Sequence, residues 1–295
     1  MRIRLITVTI MAVLVLLGAC TSLNINLPAV TEAPTSERMA GKIIWHDLLT
    51  TDINGSRAFY GGLFGWEFEE IPISLGFGKS GNYLLIRHKG QLVGGMVDTT
   101  RLGSKVNNSQ WVVLMSVDDV DTAAQNIVDA GGDILTPPTD LNERGRIAVV
   151  HDNAGALFAI LQTRDGDPID TSAAFGSFMW DEVWVPDSAA ATNFYQHIAP
   201  FEPVSVETNN ATLYKGLAVE GRPRMGILQD PIENLPATWA SYIRVADMSV
   251  LDKVEELGGQ ILLPVADRDI GGQVALIAGP SGAGVALQTW PSEQE

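Results

Sequence analysis

Trp45-His46-Asp47-Leu48-Leu49-Thr50-Thr51-Asp52, followed by Phe59-Tyr60 and Leu63-Phe64-Gly65-Trp66, is the stretch on which the reading of this chain turns. Its landmarks return later. Trp45, Asp52, Phe59 and Tyr60 recur as Trp180, Asp187, Phe194 and Tyr195, each displaced by 135 positions. Trp111, Val117 and Asp119 recur as Trp239, Val245 and Asp247, displaced by 128. Gly131-Gly132 returns as Gly258-Gly259, Gly155 as Gly282, and Leu161-Gln162-Thr163 as Leu287-Gln288-Thr289. Many shared positions with a drifting offset mean two homologous units separated by small insertions and deletions. At about 120 residues each, the units have the size of domains rather than of solenoid repeats. The break falls near Arg164 to Gly176, where Asp165-Gly166-Asp167-Pro168 interrupts the pattern.

Each unit divides again. Ile43 to Thr50 mixes Ile, Leu and Trp with polar residues and reads as a strand. Ile53 to Leu63 reads as a helix, with Ala58, Phe59 and Leu63 offering an apolar face. Trp66 to Ile73, Tyr83 to His88 and Leu92 to Asp98 read as strands separated by glycine-containing turns. The same β-α-β-β-β order continues as a strand at 110–117, a helix at 119–130 closed by Gly131-Gly132, and strands near 133–136, 145–151 and 156–162. The second unit repeats this, with helices at about 188–197 and 247–257.

Composition bounds the function. Hydrophobic residues make up 46% and charged residues 18%, too apolar for a disordered chain. The net charge of −16 argues against a nucleic-acid partner, which needs a cationic surface to displace counterions from phosphate. A single cysteine excludes an intrachain disulfide and a thiolate metal cluster.

Paired β-α-β-β-β units with this opening stretch resemble the vicinal oxygen chelate superfamily, which holds the glyoxalases, the bleomycin-resistance proteins and the extradiol dioxygenases. Val117-Asp118-Asp119-Val120-Asp121 with Ala130-Gly131-Gly132 resembles its second-half signature, and His151-Asp152-Asn153-Ala154-Gly155-Ala156 its closing turn. The likeness covers 41 to 163 well and 176 to 290 more loosely. It implies an α+β fold of tandem glyoxalase-like domains at 41–164 and 176–291. Each would be a pair of βαβββ modules forming a curved, mostly antiparallel sheet around a cup.

The start of the chain carries a second resemblance. Arg2 and Arg4 precede an uncharged apolar run at 5–17, a length suited to a signal peptide and short of a bilayer span. Leu17-Gly18-Ala19-Cys20 resembles the lipobox of bacterial lipoproteins, and the only cysteine falls on the required position. The resemblance implies a signal peptide at 1–19 and lipid, palmitate included, on Cys20. With Thr21 rather than Asp after the cysteine, it further implies an outer-membrane anchor facing the periplasm. Residues 20–40, rich in Ser, Thr, Pro and Ala, read as a flexible tether.

Metal-dependent members of the superfamily place His or Glu ligands on the first and last strands of each half. At those positions this chain has Trp45, Val112 and Ala159, and again Trp180, Ala240 and Ala286. Only imidazole or carboxylate supplies a suitable lone pair, so no metal ligand and no cofactor is expected. His46 lies one residue from the ligand position. In a strand, one step turns it to the opposite face, between sheet and helix. His88 reads as strand surface, His151 as a turn residue and His197 as a helix end.

If Trp45 faces the cup, the period of two puts Asp47 and Leu49 beside it, and Trp180, Glu182 and Trp184 in the second unit. Indole walls with one carboxylate per cup suit an apolar or cationic small molecule. The alternative is that these tryptophans fill a closed core. No nucleophile elbow or phosphate loop is present, and Gly76-Phe77-Gly78-Lys79-Ser80 reads as a hairpin loop. Three functions remain open: a lipoprotein of the bleomycin-resistance type that binds a small molecule without metal, a metal-dependent lyase or dioxygenase with atypical ligands, and a protein-interaction module of the envelope. The residues leave open whether any catalysis occurs and which protein partner, if any, is bound.

Overall fold

The computed structural model describes residues 26–74, 80–102, 109–207 and 213–290. The apolar run at 5–17, Cys20 and Gly76 to Lys79 lie outside the described residues. The first unit forms β1 (Ile43–Thr50), α1 (Ile53–Phe64), β2 (Glu67–Ser74), β3 (Ser80–His88), β4 (Gln91–Asp98), β5 (Gln110–Ser116), α2 (Val120–Asp129), β6 (Asp133–Asp140), β7 (Gly145–His151) and β8 (Leu157–Thr163). The second forms β9 (Phe178–Val185), α3 (Ser188–Tyr195), β10 (Glu202–Glu207), β11 (Leu213–Val219), β12 (Arg222–Gln229), β13 (Thr238–Arg244), β14 (Gln260–Asp267), β15 (Gln273–Ala278) and β16 (Gly284–Gln288).

Each unit is one eight-stranded open sheet. The orders are β2-β3-β4-β1-β5-β8-β7-β6 and β10-β11-β12-β9-β13-β16-β15-β14. Within a βαβββ module the first strand pairs with the last in parallel, as β1 does with β4 and β5 with β8. The two modules of a unit join through antiparallel pairs, β1 with β5 and β9 with β13. The fold is therefore α+β, with two mixed sheets in tandem.

The recurring aspartates have one cause. Asp52, Asp119 and Asp187 are N-caps whose carboxylates accept from Gly55 N, Thr122 N, and Ala189 N and Ala190 N, satisfying donors that the first helical turn leaves open. Asp247 does the same for Ser249 N, but it leads into a 3₁₀ turn, Met248–Lys253, in place of the helix expected over 247–257. α2 buries Val120, Ala123, Ala124 and Ile127, whereas Met248–Lys253 buries no residue. Met248, Val250 and Leu251 are only partly buried against the inter-sheet cluster, and a run containing Ser249, Val250 and Asp252 has little helix propensity to sustain more than a short turn.

The helices lie between the two sheets, and each sheet completes the other's core. One apolar cluster joins Val113, Met115, Ile127 and Phe158 of the first unit to Val183, Phe194, Tyr195 and Met225 of the second. Another joins Leu48, Phe59, Tyr60 and Trp66 to Ile243, Val254, Ile277 and Leu287. The repeated double glycine serves this packing. Gly131 and Gly258 take φ of +91° and +84° after the helical turns, a conformation open to glycine. Gly132 and Gly259 receive rings from the opposite unit. A Cβ on Gly132 would stand 3.0 Å from Phe194, and one on Gly259 would stand 2.3 Å from Phe59. The two units thus share their apolar clusters across this contact. A sheet with helices on one face needs a further layer, and here that layer is the other unit.

His46 sits at the centre of this contact. Its Nε2 lies 2.9 Å from Asp181 Oδ1, and its ring stacks on Phe178 at 3.7 Å. Position 181 is the repeat equivalent of 46, so the pair spans the internal symmetry of the chain. The side chain does leave the cup face, but its neighbour is the second sheet rather than a helix. His88, expected at the strand surface, is buried with Nε2 2.8 Å from the Phe175 carbonyl in the linker.

Residues 26–40 are seated rather than free. Leu27 and Val30 are buried in the cluster of Trp45, Tyr83, Leu85 and Leu114, on the face of the first sheet turned away from the second. Thr35 N donates to the Asp167 carbonyl, and the fully buried Asp167 carboxylate accepts from Met39 N, Ser116 Oγ and Thr163 Oγ1. Polar composition points to a free tether, yet two well-placed apolar residues suffice to dock this segment.

Two outcomes are expected. Cleavage of the chain at Asp167 with separation of the halves should leave neither able to unfold cooperatively, because each exposes half of both shared clusters. Dye binding to exposed apolar surface and thermal melts of each half check this. Gly259→Ala should lower stability by about 1–3 kcal/mol through overpacking against Phe59, measured by urea unfolding.

Candidate functional site

The faces turned away from the partner sheet are the cups. In the second unit the alternation of β9 sends Trp180, Glu182 and Trp184 to this face, since Val183 and Val185 belong to the inter-sheet cluster. Glu182 is fully buried and takes four donors. Its Oε1 accepts from Tyr214 OH at 2.7 Å and from Arg268 Nη2 at 2.7 Å. Its Oε2 accepts from Trp184 Nε1 at 3.2 Å and from Tyr242 OH. Trp180 Nε1 donates to Tyr214 OH at 2.7 Å, and Arg268 Nη1 donates to Gln288 Oε1 at 2.7 Å. The Arg268 guanidinium also stands 4.9 Å from the Tyr242 ring centroid. A carboxylate offers about four acceptor positions, so Glu182 is saturated.

Burial, with the charge of Glu182, pushes the phenols of Tyr214 and Tyr242 well above the ordinary tyrosine range. Burial works against the charge on Arg268, but Glu182 and the two phenols outweigh it and hold the guanidinium protonated.

The first cup repeats the plan with a different outcome. Asp47 Oδ1 accepts from Trp45 Nε1 at 2.9 Å and from Tyr83 OH at 2.5 Å. Arg144, from the turn before β7, donates to Tyr83 OH at 2.9 Å and covers the Trp45 ring at 4.7 Å. Its Nε donates to the Pro28 carbonyl, so the docked N-terminal segment closes this cup. Trp45 is 2% exposed and Arg144 is 1% exposed. Here the closed-core alternative holds: Trp45 fills a core and lines no open space. Leu49 continues the same face, half-buried, and takes no part in the network.

In the second cup Trp184 is buried against Ala240, Tyr242 and Ala286, while Trp180 is half-buried. A cavity of about 640 Å3 opens beside the network; its polar walls include Tyr214, Lys215, Arg268 and the carboxylates of Asp267 and Asp269, and Leu228 and Ile270 are among its apolar ones. Sequence reasoning misses Tyr83, Arg144, Tyr214, Tyr242 and Arg268. The signal for two of them is present, since Tyr83 and Tyr214 recur at an offset of 131, between the offsets of the strands on either side.

The donor set does not fit a divalent ion. Val112 pairs with Asp47 and Ala240 with Glu182 across the central strands, while Ala159 and Ala286 pack within the cups, and none carries a lone-pair donor. Glu182 would have to give up its arginine and both phenols to ligate. Among the described residues no three His, Cys, Asp or Glu side chains converge as a metal site. His151 is half-buried at the end of β7, and burial pushes its pKa down. His197 lies just beyond α3, with Nδ1 2.7 Å from the Asn193 carbonyl. Trp111 Nε1 donates to Tyr60 OH on α1, and Trp239 packs on Tyr195 of α3, both on the inter-sheet side.

Paired βαβββ modules on an open eight-stranded sheet, twice in one chain, define the class as tandem glyoxalase-like domains. The chain is 26% identical over 249 residues to "Putative glyoxylase CFP32" of Mycobacterium tuberculosis, covering 84% of this chain and 94% of that protein. It is 27% identical over 263 residues to the "Anthracycline biosynthesis protein DnrV" of Streptomyces peucetius, covering 84% and 92%. The Mn(II)-bound glyoxalase of Novosphingobium aromaticivorans superposes with a TM-score of 0.56 at 13% identity, covering 85% of this chain and 83% of that one. An extradiol ring-cleaving dioxygenase from B. fuscum superposes with a TM-score of 0.58 at 13% identity, covering 88% and 75%. No protein-family model matches. These likenesses support the vicinal oxygen chelate superfamily as the group this chain resembles.

The buried network makes a quantitative prediction. Arg268→Met leaves the Glu182 charge buried without its cation and should cost about 3–5 kcal/mol. Adding Glu182→Gln should restore part of that loss, and a double-mutant cycle by chemical denaturation reads the coupling.

Proposed function

We propose that the protein is an envelope lipoprotein that binds a small molecule in the cavity of its second sheet without a metal. The observation that carries this is Glu182, whose carboxylate beside the cavity is committed to Arg268, Tyr214, Tyr242 and Trp184, while Asp267 and Asp269 stand on the cavity wall itself. The network holds Arg268 and Tyr214 at the cavity wall, where their remaining surface, with Lys215 and Gln229, meets a ligand. A volume of about 640 Å3 suits a ligand of drug size. Tyr214 and the apolar walls, with Lys215 and Arg268 beside Asp267 and Asp269, favour a planar molecule bearing both acceptor and donor groups. One relative is described as a glyoxylase and another as an anthracycline biosynthesis protein, so relatives of this build are associated with small-molecule chemistry.

The lipobox at Leu17 to Cys20 supports attachment to the outer membrane through lipid, on the periplasmic side. No described helix is long and apolar enough to cross a membrane. The acidic surface gives nucleic acid no purchase.

Calorimetric titration of the chelator-treated protein with zinc, nickel, manganese and iron(II) should show no stoichiometric site of micromolar or tighter affinity. A saturating site would move the metal-dependent enzyme reading into first place. Mass spectrometry of small molecules retained on purification should find a ligand whose occupancy falls in Lys215→Ala. Cys20→Ser should shift the protein from the membrane to the soluble fraction, and retention after washing would refute the anchor.

A further inference from the structure

A second cavity, of about 880 Å3, lies between the two sheets beneath the linker at 168–174. Lys42, just before β1, and Arg222 and Arg224, both on β12, meet one carboxylate there. Lys42 Nζ stands 2.9 Å and Arg224 Nη1 2.8 Å from Asp170 Oδ1, and Arg222 Nη1 stands 2.9 Å from Asp170 Oδ2. Lys42 also donates to the Pro168 carbonyl and reaches Met39 Sδ at 3.8 Å. The other carboxylates on the wall are engaged elsewhere, Asp181 with His46 and Glu32 with Arg87.

The cluster thus holds a formal surplus of two positive charges in a chain whose net charge is −16. This surplus is largely withdrawn from water. The side chains of Lys42 and Arg224 are each 11% exposed. Arg224 Nε is buried and donates to no acceptor among the described residues. A buried donor without an acceptor, on a buried cation that shares its only counter-charge, costs free energy that an incoming anion would recover. Burial opposes the charge on Asp170, but Arg224, Lys42 and Arg222 outweigh it and hold this carboxyl far below the ordinary range. Asp170 therefore stays ionised, and it satisfies only part of the donor capacity that the three cations present. Fork geometry suits guanidinium to bidentate recognition of carboxylate or phosphate oxygens.

We propose that this inter-sheet cavity is a binding site for a compact dianion, whose oxygens take the remaining donors of Arg222 and Arg224 beside Asp170, with the Lys42 charge adding its attraction. The charge of the ligand matches the surplus, and the site is separate from the cavity of the second sheet. Phosphate monoesters and small dicarboxylates share this chemistry.

The test is calorimetric titration of the detergent-solubilised full chain, at low ionic strength, with inorganic phosphate in one arm and malonate in the other. One saturable site is expected in at least one arm, and the arm that binds identifies the source. Asp170→Asn should tighten binding by about tenfold or more by removing a like charge from the site. Lys42→Gln and Arg224→Gln should each weaken it by about tenfold or more. Arg222, with a side chain 64% exposed, supplies the variant whose fold is not at stake, and Arg222→Gln should weaken binding measurably. Thermal melts verify that each variant is folded. Absence of saturable binding in both wild type and Asp170→Asn would overturn the proposal, as would binding unchanged in Arg222→Gln and Arg224→Gln.

Discussion

The structure depends on one contact, the seating of an aromatic ring from each unit on a glycine of the other. Phe59 lies on Gly259, and Phe194 lies on Gly132. Around these two points the helices are shut between the sheets, and the apolar clusters draw on both units alike. A sheet with helices on one face exposes an apolar surface that no single unit here covers. Each unit supplies the missing layer to the other. The buried hydrogen bond between His46 and Asp181 lies in the same contact, where losing either partner leaves the other unsatisfied.

That arrangement decides where a ligand can go. With the helical faces consumed, the free surfaces are the outward cups and the seam beneath the linker. The two cups share a plan of indole, carboxylate, phenol and guanidinium, yet they differ in use. In the first, Arg144 lies across Trp45 and Tyr83, and Leu27 and Val30 close the opening. In the second, Arg268 lies closer to the rim, and a cavity remains beside it. The difference comes from the N-terminal segment, which has no counterpart before the second unit, since the linker there is spent on bridging the seam.

The electrostatics of the second cup derive from saturation. A carboxylate that accepts four hydrogen bonds is stabilised as an anion and has no lone pair left for a metal. The phenols around it are held protonated by burial and by the same charge. The network fixes its donors in place around one buried carboxylate.

The sequence by itself determined the local elements and their repetition. β1 spans the residues expected of it, and α1 and α2 fall within one residue of their expected ends. Period and turn chemistry are local quantities, and a strand or a capped helix declares them within a dozen residues. The same period placed Trp45 and Asp47, and Trp180, Glu182 and Trp184, on one face. What only the tertiary structure decided were relations between distant residues. Nothing local tells Glu182 that Arg268 will reach it across 86 positions, or His46 that its partner is Asp181 rather than a helix. The same holds for Leu27 and Val30, two apolar residues in a polar stretch, which gain their meaning only from the open cup that receives them. Period and composition register which face a side chain takes, but contacts between separate elements depend on how whole sheets pack, and that packing is settled by burial summed over the entire chain.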